Sequence, residues 1–190
     1  MTSPIATDAP RTRERILDAA LRLFAEKGYE ATSMREISEQ LGITKAALYY
    51  HFDSKADIVR AMLAATEERV AGLVDWARMQ PPTPETRREV LTRWSDIMQT
   101  HGLAAFRFAV ANRQVIHDLS PDEHGGMHQC LGDLFAVLAP PGATVEDQLR
   151  VRLALMSINM AGLAGADIDA DEAEILGAAR RLALDLLAEG

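Results

Sequence analysis

Lysine is almost missing from this 190-residue chain: only Lys27, Lys45 and Lys55 occur, and none follows position 55. Cysteine is scarcer still, and the single Cys130 excludes an intrachain disulfide. The fold must therefore rest on packing, as expected in a reducing cytoplasm. Long hydrophobic runs are lacking too. The most apolar stretch, Leu153 to Gly165, is interrupted by Ser157 and Asn159 and closed by Asp167, well short of the ~20 residues a membrane-spanning helix needs. Met1 to Pro10 has no charged start followed by an apolar run, so no secretory signal is expected. There is no Gly-rich phosphate loop, no Gly-x-Ser-x-Gly elbow and no nucleophile with an evident base. The chain does not read as an enzyme, and no cofactor is expected.

What is present is unevenly distributed. The formal charge of −8 hides a balanced front, since residues 1–60 hold nine basic and nine acidic side chains; the rest, with 11 against 19, supplies the whole imbalance. Basic groups gathered on one face of the front would suit a polyanion better than the acidic remainder does.

Helical spacing runs throughout. Ile16, Ala20, Leu23 and Phe24 predict a first helix over 11–27, with Gly28 as its stop. Ser33-Met34-Arg35-Glu36 has the form of a capping box, Ile37 and Leu41 give a short apolar face, and Gly42 ends that second helix. Thr44 can cap a third, whose Ala47, Leu48 and Phe52 would face inward. Ser54 and Asp57 repeat the capping pattern before a long helix to about 80. Pro81-Pro82-Thr83-Pro84 is a hard break, after which helices are expected near 85–100, 103–118, 122–138, 144–164 and 170–188. The fold class is all-α, with about nine helices. Residues 1–10 read as a flexible N-terminal tail, 11–57 as a three-helix domain of helix-turn-helix outline, and 58–190 as a larger helical domain.

In a helix-turn-helix the second helix enters the DNA major groove and the first crosses the backbone. Its exposed positions here would be Thr44, Lys45, Ala46, Tyr49, Tyr50 and His51. Lys45 is suited to phosphate or a guanine edge, Ala46 to a thymine methyl, and the Tyr49 hydroxyl to phosphate. Lys55 would grip the backbone and Arg35 could serve either task. The competing reading makes Tyr49, Tyr50 and Phe52 a packed aromatic patch and Lys45 a solvated charge.

The segment 11–60 resembles the DNA-binding domain of the TetR family of transcriptional regulators. The resemblance is carried by Ile16-Leu17-Asp18-Ala19-Ala20 with Phe24 and Gly28, Thr32-Ser33-Met34-Arg35-Glu36-Ile37, Leu41-Gly42-Ile43, and Leu48-Tyr49-Tyr50-His51-Phe52 followed by Ser54-Lys55. It implies an all-α homodimer that represses transcription from a palindromic operator and is released by a small-molecule inducer. The larger domain would bind the inducer and dimerise through its last two helices. Carried over by position, Arg35, Thr44, Lys45, Ala46, Ala47, Tyr49, Tyr50, His51 and Lys55 would touch double-stranded DNA. Ala47 departs from the pattern, since relatives often place Thr or Ser there. The long helix from Lys55 would be the lever between ligand and DNA.

Leu149, Leu153, Met156, Met160 and Leu163, spaced 4, 3, 4, 3, form a seam for a packed neighbour helix, and Ile175, Ala179, Leu182 and Leu186 form a second. A second copy of the chain would cover them; both could instead pack within one subunit. Trp94, Met98, His101, Phe106, Arg113, Met156 and Asn159 are the candidate inducer contacts, although such residues are more often simply core. Four of the five histidines, His101, His117, His124 and His128, lie close together in sequence. A metal-sensing regulator of the same fold is one alternative, but Gly125-Gly126 weakens the helix between His124 and His128, and no metal site is assigned. The other alternative is an all-α interaction module or enzyme that does not bind DNA. Asp167, Asp169 and Asp171 lack the Gly and Glu of a calcium loop and read as acids at the start of the last helix.

Overall fold

In the computed structural model of the protein, residues 9–119, 126–139, 142–165 and 167–188 are described, the side chains at 9, 10, 101, 102 and 127 excepted. All elements among them are helical: α1 (Ala9–Lys27), α2 (Met34–Leu41), α3 (Lys45–His51), α4 (Lys55–Arg78), α5 (Pro84–Ile97), a π-helical turn (Met98–Gly102), α6 (Leu103–Ala111), α7 (Arg113–Leu119), α8 (Met127–Leu138), α9 (Val145–Ala164) and α10 (Glu172–Ala188). None is long and apolar enough to cross a membrane.

The all-α expectation holds, with ten α-helices among the described residues where about nine were expected. The helix expected over 103–118 is two, because the ladder gives way at Asn112. Its backbone N–H and its side-chain amide both donate to the Phe108 carbonyl, each at 2.9 Å. An Asn side chain that competes for a helix carbonyl favours a break there.

The chain divides into two compact units. The first contains the residues up to Ala65 together with those from Phe108 through α7, so the boundary expected after residue 57 moves into α4. Its core is Ile16, Ala19, Ala20, Leu23 and Phe24 of α1, Ile37 of α2, Leu48 of α3, the adjoining Phe52, and Ile58, Val59 and Met62 of α4. The Phe108 ring lies 5.5 Å from that of Phe24 and 6.0 Å from that of Tyr29. This contact draws 108–119 out of the regulatory segment to which spacing had assigned it. Buried Thr32 ties the end of α1 by donating to the Gly28 and Leu23 carbonyls at 2.8 and 3.3 Å.

The second unit contains Thr66–Arg107 and the described residues from Gly126 onward. Val70, Leu73 and Val74 of α4, Val90, Leu91 and Trp94 of α5, Leu134 and Leu138 of α8, and Val151, Leu155 and Ile158 of α9 meet in one core closed by Leu176 and Ala183 of α10. The α9 seam lies on the opposite face from this core. Leu149, Leu153, Met156, Met160 and Leu163 are each between 39% and 53% exposed. The α10 seam is different. Leu182 is exposed, but Ile175 and Leu186 are half-buried against the core and Ala179 is buried within it. Ala179 is therefore a packing residue of this unit, because a small side chain lets α10 approach α9 closely.

Candidate nucleic-acid interface

Local chemistry fixes the turn that sets α3 against α2. Ser33 and Glu36 complete the capping box: the Ser33 hydroxyl accepts from the Glu36 N–H at 3.2 Å, and the Glu36 carboxylate accepts from the Ser33 N–H at 2.9 Å. At the other end of α2, Gly42 has φ of 65°, a left-handed conformation that a side chain would strain. Its N–H donates to the Glu39 carbonyl at 3.1 Å and the Ile43 N–H to the Ser38 carbonyl at 3.0 Å, the paired bonds of a Schellman motif. Thr44 then caps α3 by accepting from the Ala47 N–H at 3.1 Å. Leu48 anchors the helix in the core and Phe52 closes it, its N–H bonded to the Leu48 carbonyl at 3.0 Å.

With Leu48 as its one buried side chain, α3 presents Lys45, Ala46, Ala47, Tyr49 and Tyr50 to solvent. Ala47, expected to face inward, is exposed beside Thr44, because the inward stripe of a two-turn helix is narrow enough for Leu48 alone. Tyr50 is 83% exposed and meets the half-buried His51 edge-on, ring centroids 5.2 Å apart. Tyr49 and Tyr50 are thus outside the core, and the packed-patch reading survives only for Phe52. Lys45 has no ion pair among the described residues. Arg35 projects from the first turn of α2, its Nε bonded to Glu39 at 2.6 Å, with both terminal amino groups unpaired among the described residues.

Lys55 is more committed than the sequence suggested. Its Nζ donates to the Tyr29 carbonyl at 2.6 Å and more weakly to the Glu30 carbonyl at 3.4 Å, and it stands 4.5 Å from the centre of the Tyr29 ring. An ammonium has three donors, so one remains for a phosphate. Two further residues escaped sequence reasoning. The Arg13 guanidinium sits 5.0 Å over the ring of Phe52. Lys27 binds Glu36 at 2.9 Å and so joins the end of α1 to the start of α2. The available signal was the run of basic residues along α1; their partners lie far off in sequence, where spacing gives no clue.

The Lys27 bond, with the Ser33 N–H and hydroxyl, lowers the pKa of Glu36 to about 2. A depressed carboxylate stabilises the fold fully above its unfolded pKa and loses that contribution as pH falls through the folded value. The Glu36→Gln variant should therefore melt at lower temperature near neutral pH. Between about pH 4.5 and pH 2 its melting temperature should fall less steeply than that of the parent. Parallel curves by circular dichroism would show that the capping carboxylate is not the titrating group.

The expected inducer contacts divide. Trp94 and Met98 are buried in the core of the second unit and Phe106 is half-buried. Trp94 Nε1 and Asn159 Oδ1 are buried without a hydrogen-bond partner among the described residues. Met156 instead belongs to the exposed α9 stripe, so it does not line an interior site. Arg113 is exposed at the start of α7, in the first unit. The His101 side chain lies outside the described residues, as does His124; His117 and His128 are exposed. Asp171 bonds the Glu174 N–H at 2.8 Å at the start of α10, the capping role expected for that acidic run.

Residues 16–62 match the model of the bacterial regulatory proteins of the tetR family. Over 86 residues the chain is 36% identical to the transcriptional regulator AcrR of Shigella flexneri, covering 44% of this chain and 40% of that protein. It is 48% identical over 48 residues to IcaR, a negative transcriptional regulator of a biofilm operon in Staphylococcus epidermidis, covering 25% of this chain and 26% of that one. The chain thus matches less than half the length of either relative. The fold is shared with the crystal structure of Mycobacterium smegmatis AmtR, with a TM-score of 0.68 over 97% of this chain and 88% of that one, at 23% identity. The likeness to the tetR family of bacterial regulatory proteins thus rests on residues 16–62, the segment that holds α2, the turn and α3.

Proposed function

We propose that the protein is a DNA-binding transcriptional regulator, a repressor acting as a homodimer on a palindromic operator and released by a small molecule. The observation that carries this reading is α3: a capped helix anchored by Leu48 whose Lys45, Ala46, Ala47, Tyr49 and Tyr50 are all free to meet DNA. In this reading Lys45 and Arg35 meet base edges, while Thr44, Tyr49, Tyr50, His51 and the remaining Lys55 donor hold phosphates. The exposed α9 stripe supports the homodimer, since a two-fold contact lets Leu153 and Met156 meet their own copies; a palindromic operator would be read by two α3 helices in successive major grooves, roughly 34–36 Å apart. The unpaired Trp94 Nε1 and Asn159 Oδ1 support a ligand in the helical domain with an acceptor for one and a donor for the other. Such a ligand weakens operator binding only by its preference for the released state, and ~1–3 kcal/mol of coupling is the usual scale.

The test is selection of preferred sites from random duplex DNA by the purified protein, with stoichiometry measured on the winning sequence. Enrichment of a palindrome bound by two chains is expected; no enrichment at low salt would remove DNA from the function. On the selected site, Lys45→Ala should lose about 1–3 kcal/mol of discrimination at one base position. Lys55→Ala should weaken all sequences alike and reduce the salt slope by about one. An unchanged slope would make Lys55 only a tether to the Tyr29 carbonyl.

A further inference from the structure

Within the second unit, α4 ends, α5 begins and α8 ends around a common depression. A groove of about 260 Å³ opens there. Ligand pockets are typically roughly 300–1,000 Å³, so this one suits a small molecule. Its floor is apolar: Ala77, Val90 and Leu138 belong to the core. Its rim carries Arg78, Thr86 and Arg87, and no carboxylate lines it. In a domain that supplies the whole negative charge of the chain, that is a local inversion.

The two arginines differ. Arg78 is engaged, with Nη2 3.0 Å from Asp133 and Nη1 3.9 Å from Asp75. Arg87 is half-buried and forms no ion pair among the described residues, its charge acting only at longer range on exposed Glu85 of the same turn. It stands in the first turn of α5, where the helix dipole also favours an anion. One guanidinium without a close ion pair above an apolar floor matches one charge on an apolar body. A dianion such as phosphate would need a second free cation, and Arg78 is already shared with Asp133.

We propose that this groove binds a small monocarboxylate with a short apolar body, its carboxylate on Arg87 and its hydrocarbon on Val90, Val137 and Leu138. The proposal is independent of DNA binding, because it is read out by direct titration of the full chain. Hexanoate is the probe, followed through the methyl resonances of valine and leucine, with hexanol, hexylamine and inorganic phosphate as comparisons. The expected result is a saturable shift at Val90, Val137 and Leu138 with hexanoate, at least about tenfold tighter than with hexanol or phosphate, and none with hexylamine. Arg87→Met should erase that preference for hexanoate over hexanol, and Val137→Phe, which fills the groove, should weaken both. Melting curves verify that each variant is folded. Equal binding of hexanol and hexanoate, shifts confined to other methyls, or an Arg87→Met variant that keeps the preference would each overturn the assignment.

Discussion

On the proposed function, replacing Leu153 and Met156 together by Glu is expected to leave the protein a monomer and to reduce operator affinity by at least about 100-fold. Both side chains lie in the middle of the exposed α9 stripe, half-open to solvent in the single chain. As surface residues they contribute little to the stability of one chain, so the melting of the isolated fold should change by no more than about 0.5 kcal/mol. At a two-fold contact each substitution appears twice, leaving four carboxylates to be desolvated without partners. Several kcal/mol per buried unpaired ion is the usual scale, which exceeds what a small helix-pair interface yields. Sedimentation velocity reads the association state and a fluorescence titration on the selected operator reads the affinity. A variant that remains dimeric would move the contact away from α9, and a monomer that binds the full operator undiminished would separate DNA reading from dimerisation.

Leu48→Ala is expected to abolish operator binding by a different route. Leu48 is fully buried and is the only side chain through which α3 enters the core. Removing it costs about 2–5 kcal/mol by transfer and cavity terms, a large share of the 5–15 kcal/mol or so that holds a typical domain together. The capping and aromatic contacts of α3 cannot replace that anchor. Tyr50→Ala provides the contrast. At 83% exposure, Tyr50 should leave stability within about 0.5 kcal/mol while weakening DNA binding. Thermal unfolding beside operator titration separates the two. If Leu48→Ala melts like the parent, α3 is held by something other than this anchor. If Tyr50→Ala binds normally, the outward aromatic face is not part of the DNA contact.

Much of the first unit was legible because its signals are local. Ser33 with Glu36, Gly42, Thr44, and Ser54 with Asp57 each act within four residues, and each cap forms as its spacing required. The α9 stripe was likewise written in a single period. What failed were properties set by distant partners. Nothing near Phe108 announces that its ring joins Phe24 and Tyr29, nothing near Lys55 that two carbonyls of the turn after α1 claim it, and nothing near Ala179 that it lies buried in a core. Ala47 was misread because its small apolar side chain fits either face, and a helix of two turns has too few positions for periodicity to decide. The candidate inducer residues were the least legible. Trp94, Met98, Met156 and Arg113 share apolar or mixed spacing in sequence, yet they end in a core, an exposed stripe and a separate unit.

The division of labour within α3 has a consequence for evolution and design. Because one leucine and one cap hold the helix, its outward positions are nearly uncoupled from folding. They can be exchanged one at a time, with stability held constant, while the preferred DNA sequence drifts. A duplicated copy could thus acquire a new target through changes at Lys45, Ala46, Ala47 and Tyr49 alone, and a library randomised there should remain almost wholly folded.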